Sequence, residues 1–161
     1  MRIACGFDHA GVALRGRLLP LIIASGHEVL DFGTDSTDPI DYPEKALEVG
    51  RAVVSGQANR GIIVCGSGAG VSVAATKIRG IRAATIHDTY TAHQAVEHDG
   101  VNVLCLGGRV IGVEVAAEIV SAFLAAEVSD EERHVRRRAE VAEIERTGGE
   151  IDAISERGSM K

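Results

Sequence analysis

A chain of 161 residues with 45% hydrophobic and only 3% aromatic content suits one domain with a sizeable, aliphatic, alanine-rich core. Its net charge of −6 supplies no broad positive field, which argues against a nucleic-acid binder while leaving room for a local basic pocket. Three widely spaced cysteines give neither a disulfide framework nor a zinc site, and no apolar signal segment or membrane span is present, so a reduced cytoplasmic location is expected.

In chain order, residues 3–7 read as a first strand, followed by a helix over about 11–25 that carries Pro20 inside it. A second strand is expected at 28–32. Pro43 suits the first position of a helix running to about residue 54. The β-branched run at 62–65 reads as a buried strand ending in Cys65, and Gly66, Gly68 and Gly70 follow at alternate positions. A short helix over 71–75, a strand at 82–86, a helix over about 88–97 and a strand at 102–106 come next. After Gly112, the residues Ala116, Ile119, Val120, Phe123 and Leu124 repeat at helical spacing. From Ser129 the character changes: Asp130, Glu131 and Glu132 suit the first turn of a last helix, and an arginine-rich stretch follows. Strands alternating with helices imply a mostly parallel sheet covered on both faces. Residues 1–146 are expected to form one domain, and 147–161 a tail that is loose or docks on a partner.

Parallel sheets of this kind bind ligands outside the carboxyl ends of their strands. That edge collects Asp8 and His9, then Cys65 to Gly70, then His87 and Asp88, then Gly107, Gly108 and Arg109. A glycine loop of exposed N–H groups at a helix start binds negative charge and also favours the thiolate of a cysteine placed in it. On spacing alone Cys65 stands evenly between a reactive thiol and a small buried hydrophobe, whereas Cys5 and Cys105 read as buried hydrophobes. A cysteine-phosphatase loop needs an arginine six residues after its nucleophile, but Val71 stands there. A Walker loop fails as well, for want of Gly-Lys-Ser/Thr. A dinucleotide fingerprint survives as a minor alternative: the glycines follow a strand and Asp88 lies about 20 residues on, yet the third glycine comes one position early. Arg133 and Arg137, four apart, share a helix face as a phosphate clamp needs, while Arg136 and Arg138 point elsewhere and read as serving solubility. Tyr42 reads as a loop residue held by Pro43, its hydroxyl a candidate ligand contact.

The ordered set Gly6-Phe7-Asp8-His9-Ala10-Gly11, Asp41-Tyr42-Pro43, Cys65 to Gly70, Ile78-Arg79-Gly80-Ile81-Arg82, His98, Gly107-Gly108-Arg109 and Arg133-His134 with Arg137 resembles the type B ribose-5-phosphate isomerases and the galactose-6-phosphate isomerase subunits, over about residues 2–146. The resemblance implies a five-stranded parallel sheet between helices, a Rossmann-like αβα sandwich. It also implies a metal-free, cofactor-free aldose–ketose isomerase acting through an enediolate. By that resemblance Cys65 is the base between C2 and C1, and His98 opens the sugar ring. The N–H groups of Gly66, Ser67, Gly68, Ala69 and Gly70, with the Ser67 hydroxyl, hold the oxyanion. Asp8 and His9 hold the sugar, Tyr42 and Asp99 contact the substrate, and Arg109, Arg133 and Arg137 grip the phosphate. The family shares this site across a dimer interface, so a homodimer or dimer of dimers is expected.

Two departures bear on the substrate: Asp99 stands where the family usually has Asn, and Thr76 where it tends to have another Asn. Ribose 5-phosphate is the leading substrate, with galactose 6-phosphate, allose 6-phosphate or a tetrose phosphate as alternatives. A noncatalytic nucleotide-binding module and a noncatalytic subunit of a mixed assembly are the rival classes.

Overall fold

The computed structural model describes residues 1–149. Along them run β1 (Arg2–Phe7), α1 (Val12–Ala24), β2 (Glu28–Asp31), α2 (Tyr42–Val54), β3 (Arg60–Cys65), α3 (Ala69–Ala75), β4 (Ala83–Thr85), α4 (Thr89–Asp99), β5 (Val103–Gly107), α5 (Val113–Ala125) and α6 (Glu132–Thr147). Every expected element forms. Helix α1 runs unbroken through Pro20, and a proline opens α2. Helix α4 extends further than its pattern indicates, taking His98 and Asp99 into its last turn before Gly100 closes it at φ +67°. The expected tail is described only to residue 149, and residues 150–161 lie outside the described residues.

All strand pairs are parallel, in the order β2-β1-β3-β5-β4. Alternation along the strands divides the core in two. Ile3, Cys5, Phe7, Ile62, Val64, Leu104 and Leu106 face one layer, with Leu14, Leu18 and Ile22 of α1, Ala92 and Val96 of α4, and Ile119 and Phe123 of α5. Ala4, Ile63, Cys65, Val103 and Cys105 face the other, against Ala46 and Val49 of α2 and Val71 and Ala75 of α3. Period-two alternation thereby sorts the residues of each strand between two helical layers, the expected αβα sandwich. Full burial of one such large aliphatic or aromatic side chain contributes about 1.5–3 kcal/mol.

This topology creates the crevice. The chain leaves β1 for the layer of α1, but leaves the neighbouring β3 for the layer of α3, so their carboxyl-end loops part at a switch point. Arg60, at the start of β3, braces the far end of α5: its guanidinium donates to the carbonyls of Phe123 and Ala126, the latter at 2.6 Å, and lies 5.3 Å from the Phe123 ring centre. No helix among the described residues is long and apolar enough to cross a membrane.

Candidate active site

Cys65 is the last residue of β3 and is buried, with 5% of its surface exposed. Its sulphur accepts a hydrogen bond from the Gly68 N–H at 3.1 Å. Gly68 makes that bond from the left-handed region, at φ +80°, where a side chain is strained. The loop carbonyls turn toward the neighbouring chain: Cys65 O accepts from Gly108 N at 2.7 Å, Gly66 O from Arg109 N at 3.0 Å, and Gly68 O from the Thr85 hydroxyl at 2.9 Å. With the carbonyls engaged there, the N–H groups of Gly66, Ser67 and Gly70 have no acceptor among the described residues. Ser67 is exposed, and its oxygen accepts from Ala69 N at 3.3 Å, leaving its hydrogen available.

The two other cysteines occupy different positions chemically. Burial, reinforced by the charge of Asp31, pushes the Cys5 thiol up to about 12. Burial also pushes Cys105 up to about 12, with Cys65 adding to the rise and a hydrogen bond to Ser72 opposing it. Both remain thiols at neutral pH, as the reading of buried hydrophobes requires.

Around the loop stand the other rim residues. Asp8, buried, accepts from Ala10 N at 2.8 Å and Gly11 N at 3.0 Å through Oδ1, which fixes the turn into α1. Its own N–H donates to Val64 O at 3.0 Å and ties the turn to β3. The Nδ1 of His9 accepts from Ile40 N at 3.3 Å, which assigns the ring proton to Nε2. The Tyr42 ring lies against Gly70, so close that a Cβ there would come within 2.9 Å of it. Arg109 is exposed beside Gly66, where an added Cβ would lie 3.8 Å from its Nη1. His87, collected on the same rim from the strand ends, accepts from Gly107 N at 2.9 Å and steadies the loop after β5.

His98, Asp99, Arg133 and Arg137 are elsewhere in the same protomer. His98 and Asp99 end α4, just before the chain enters β5, whereas Cys65 and Arg109 lie where β3 and β5 finish. The five-residue length of β5 sets these groups roughly 15 Å apart. At this second edge the His98 ring stacks on that of His134, with centroids 3.9 Å apart and planes inclined by 29°. Arg133 pairs with Glu131 at 2.8 Å. Arg137 and Asp99 line a cavity of about 320 Å³ together with Thr76, Arg82 and Arg138. The two departures from the family pattern therefore share one cavity.

One expectation needs correcting. Arg138 is not a solubility residue: its guanidinium donates to His98 O at 3.1 Å and Ser129 O at 2.6 Å. Arg82 completes the brace, donating to Asp99 O at 2.8 Å and Arg138 O at 3.1 Å. The i,i+4 rule that selected Arg133 and Arg137 ignores the helix side turned inward, where Arg138 and His134 lie. Arg136 does stay on the surface, near Glu140 at 3.7 Å. Asp88, the ribose acid of the dinucleotide alternative, instead caps α4 by accepting from Thr91 N at 2.7 Å, and that bond holds its carboxyl below the usual carboxylate range. Among the described residues no cluster of three His, Cys, Asp or Glu side chains is grouped to hold a metal ion.

Comparison with known proteins matches residues 3–141 to the family model described as Ribose/Galactose Isomerase. The ribose-5-phosphate isomerase B of Escherichia coli is 40% identical over 144 residues, covering 89% of this chain and 96% of the relative. The D-erythrulose-4-phosphate isomerase of Pectobacterium atrosepticum is 41% identical over 129 residues, covering 79% of this chain and 84% of the relative. The solved structure of Clostridium thermocellum ribose-5-phosphate isomerase B superposes with a TM-score of 0.87 at 42% identity, covering 91% of this chain and 99% of that one.

Proposed function

Because this chain belongs to the ribose/galactose isomerase family and is an aldose–ketose isomerase of sugar phosphates, we propose that it interconverts ribose 5-phosphate and ribulose 5-phosphate through an enediolate. Cys65 is the base. Its thiolate takes the C2 proton of the open-chain aldose, the electron pair moves into the C1–C2 bond, and the C1 oxygen becomes an oxyanion. A proton then passes from O2 to O1, and Cys65 returns its proton to C1 to give the ketose. A carbon acid beside a carbonyl needs both a positioned base and donors aimed at the developing charge. The observation that carries this reading is the glycine loop: one buried sulphur held by the Gly68 N–H, next to the free N–H groups of Gly66, Ser67 and Gly70. The Ser67 hydroxyl adds a donor, and Asp8, His9 and Tyr42 hold the sugar.

The phosphate and the cyclic form of the sugar need the other edge. His98 opens the ring, and Arg133 and Arg137 join Arg109 on the phosphate. In one protomer these groups stand on opposite edges of the sheet, so the site is completed by His98, Arg133 and Arg137 of a second copy. The working enzyme is accordingly a homodimer or a dimer of dimers.

Turnover across a panel of aldose phosphates tests the substrate. Ribose 5-phosphate is expected to lead, and activity confined to a tetrose or hexose phosphate rejects the pentose. Asp99 favours that second reading: an ionised carboxylate accepts but does not donate, so it suits sugar hydroxyls and not an oxyanion. The 41% identity to a D-erythrulose-4-phosphate isomerase supports including tetrose phosphates in the panel. Cys65→Ala should abolish exchange of the substrate C2 proton with solvent, and retained exchange removes Cys65 from the base role.

A further inference from the structure

His134 is the single side chain of α6 that is buried, with 2% of its surface exposed. Its Nδ1 is buried without a hydrogen-bond partner, so the position costs stability that an apolar residue would not. Desolvation lowers its pKa, His98, Arg133 and Arg137 add to the lowering, and Glu131 opposes it. The ring is therefore neutral at physiological pH. What the ring does contact is His98, stacked at 3.9 Å.

The backbone under His98 is already fixed. Arg138 holds the His98 carbonyl and Arg82 that of Asp99, while Ser129 N donates to Glu97 O at 2.9 Å and closes the α4–α6 junction. What remains free is rotation of the His98 side chain, 31% exposed, with Glu97 Oε2 at 3.9 Å from its Nε2. A stacked, uncharged ring removes that freedom without competing for either nitrogen of His98. We propose that His134 is a positioning residue whose buried ring is the platform that sets the plane of the His98 imidazole for proton transfer to the cyclic sugar. The proposal rests on the ring-opening role given to His98 above.

Sugar chemistry separates this step from isomerisation. A ketose with its carbonyl at C2 and phosphate on O5 has no hydroxyl placed to close a five-membered ring, so its C1 proton exchanges through the enediolate without ring chemistry. In His134→Leu, kcat on ribose 5-phosphate should fall about tenfold or more while KM stays within about twofold, since general acid–base alignment is worth about 10²–10⁴-fold. Exchange of the ribulose 5-phosphate C1 proton with solvent deuterium should stay within about twofold. His134→Phe, which restores a flat ring, should recover most of kcat. In the wild type the His98 ring proton resonances should be shifted upfield by the stack, and the shift should vanish in His134→Leu. An unshifted His98 in the wild type, a fully active His134→Leu, or turnover and exchange falling in proportion overturns the proposal. So does a His134→Phe variant as slow as His134→Leu. A fully active His98→Ala overturns the ring-opening reading as well, whereas loss of activity in His98→Ala beside an unaffected His134→Leu overturns the platform alone.

Discussion

Replacing Gly68 by alanine adds one methyl group where the Cys65 loop has least room. Gly68 stands at φ +80°, and an added Cβ would approach Thr85 Cγ2 to 2.9 Å and the Leu106 carbonyl carbon to 3.0 Å. A side chain held in the left-handed region costs about 1–2 kcal/mol. Thr85 can rotate, but Leu106 presents backbone of a central strand, and forcing extra volume into such packing costs about 1–3 kcal/mol more. The sum is about 2–5 kcal/mol. Gly26→Ala supplies the control, because Gly26 has a like φ of +81° with nothing within 4 Å of its added Cβ, so only the backbone cost of about 1–2 kcal/mol applies. Urea unfolding at matched protein concentration, which holds any contribution of the proposed assembly constant, should rank the variants wild type, Gly26→Ala, Gly68→Ala. Moving Gly68 also withdraws its N–H from the Cys65 sulphur. With Cys65 as the proposed thiolate base, a hydrogen bond to that charged group is worth about 1.5–3 kcal/mol, which is roughly 10- to 150-fold in the rate of C2-proton exchange followed by NMR. Equal urea midpoints for the two alanine variants, or unchanged exchange in Gly68→Ala, would refute the reasoning.

Mixing Cys65→Ala with His98→Ala under conditions of subunit exchange should restore about a quarter of wild-type turnover, since half the dimers are mixed and each mixed dimer carries one whole site; no recovery despite verified exchange argues that each protomer completes its own site. Iodoacetamide at pH 8, read by peptide mass mapping, should modify Cys65 and spare Cys5 and Cys105, whose thiols are pushed up to about 12 and are fully buried; labelling of either core cysteine in the native protein contradicts the burial. His134 and His27 both have pKa values lowered from 6.5, chiefly by desolvation. The unfolded chain therefore binds more protons below about pH 6.5, and stability to urea should fall as pH drops from 7 to 5, with a shallower slope in His134→Phe; a slope identical in that variant removes His134 from the linkage. Asp88, whose carboxyl is held low by its cap bonds, acts in the same direction at more acid pH: its contribution is present above 3.8 and lost as pH falls through its lower folded value.

The rim of the site was legible because it obeys a rule of chain direction. Asp8, Cys65 and Arg109 each follow or end a strand of a parallel sheet, so a list of strand ends is already a list of neighbours. The buried cysteines separated by parity: Cys65 and Cys105 fall on one sheet face and Cys5 on the other. The far edge follows no such rule. Arg138 and His134 belong to a helix packed only along part of its length, and helical spacing gives faces without saying which face meets the protein. Spacing favoured Arg133 and Arg137, both exposed, whereas the inward side carries the brace and the stack.

That far edge gives the physical argument for the proposed assembly. A βα unit leaves each strand's carboxyl end beside one helix start and returns each helix's end to the opposite edge of the sheet. Groups at helix ends, such as His98 and Asp99, cannot reach groups at strand ends within the same unit, because β5 lies between them. Moving His98 to the Cys65 edge of its own protomer would require a long loop that carries no regular structure and little rigidity. In the proposed dimer a second copy would instead bring in a histidine whose carbonyl is held by Arg138, whose neighbour Asp99 is held by Arg82 and whose ring is stacked on His134, so the proposed proton-transfer group would arrive oriented. Under that proposal, the bonds that hold the second edge within one protomer would align a site divided between two copies as well as one built within a single chain.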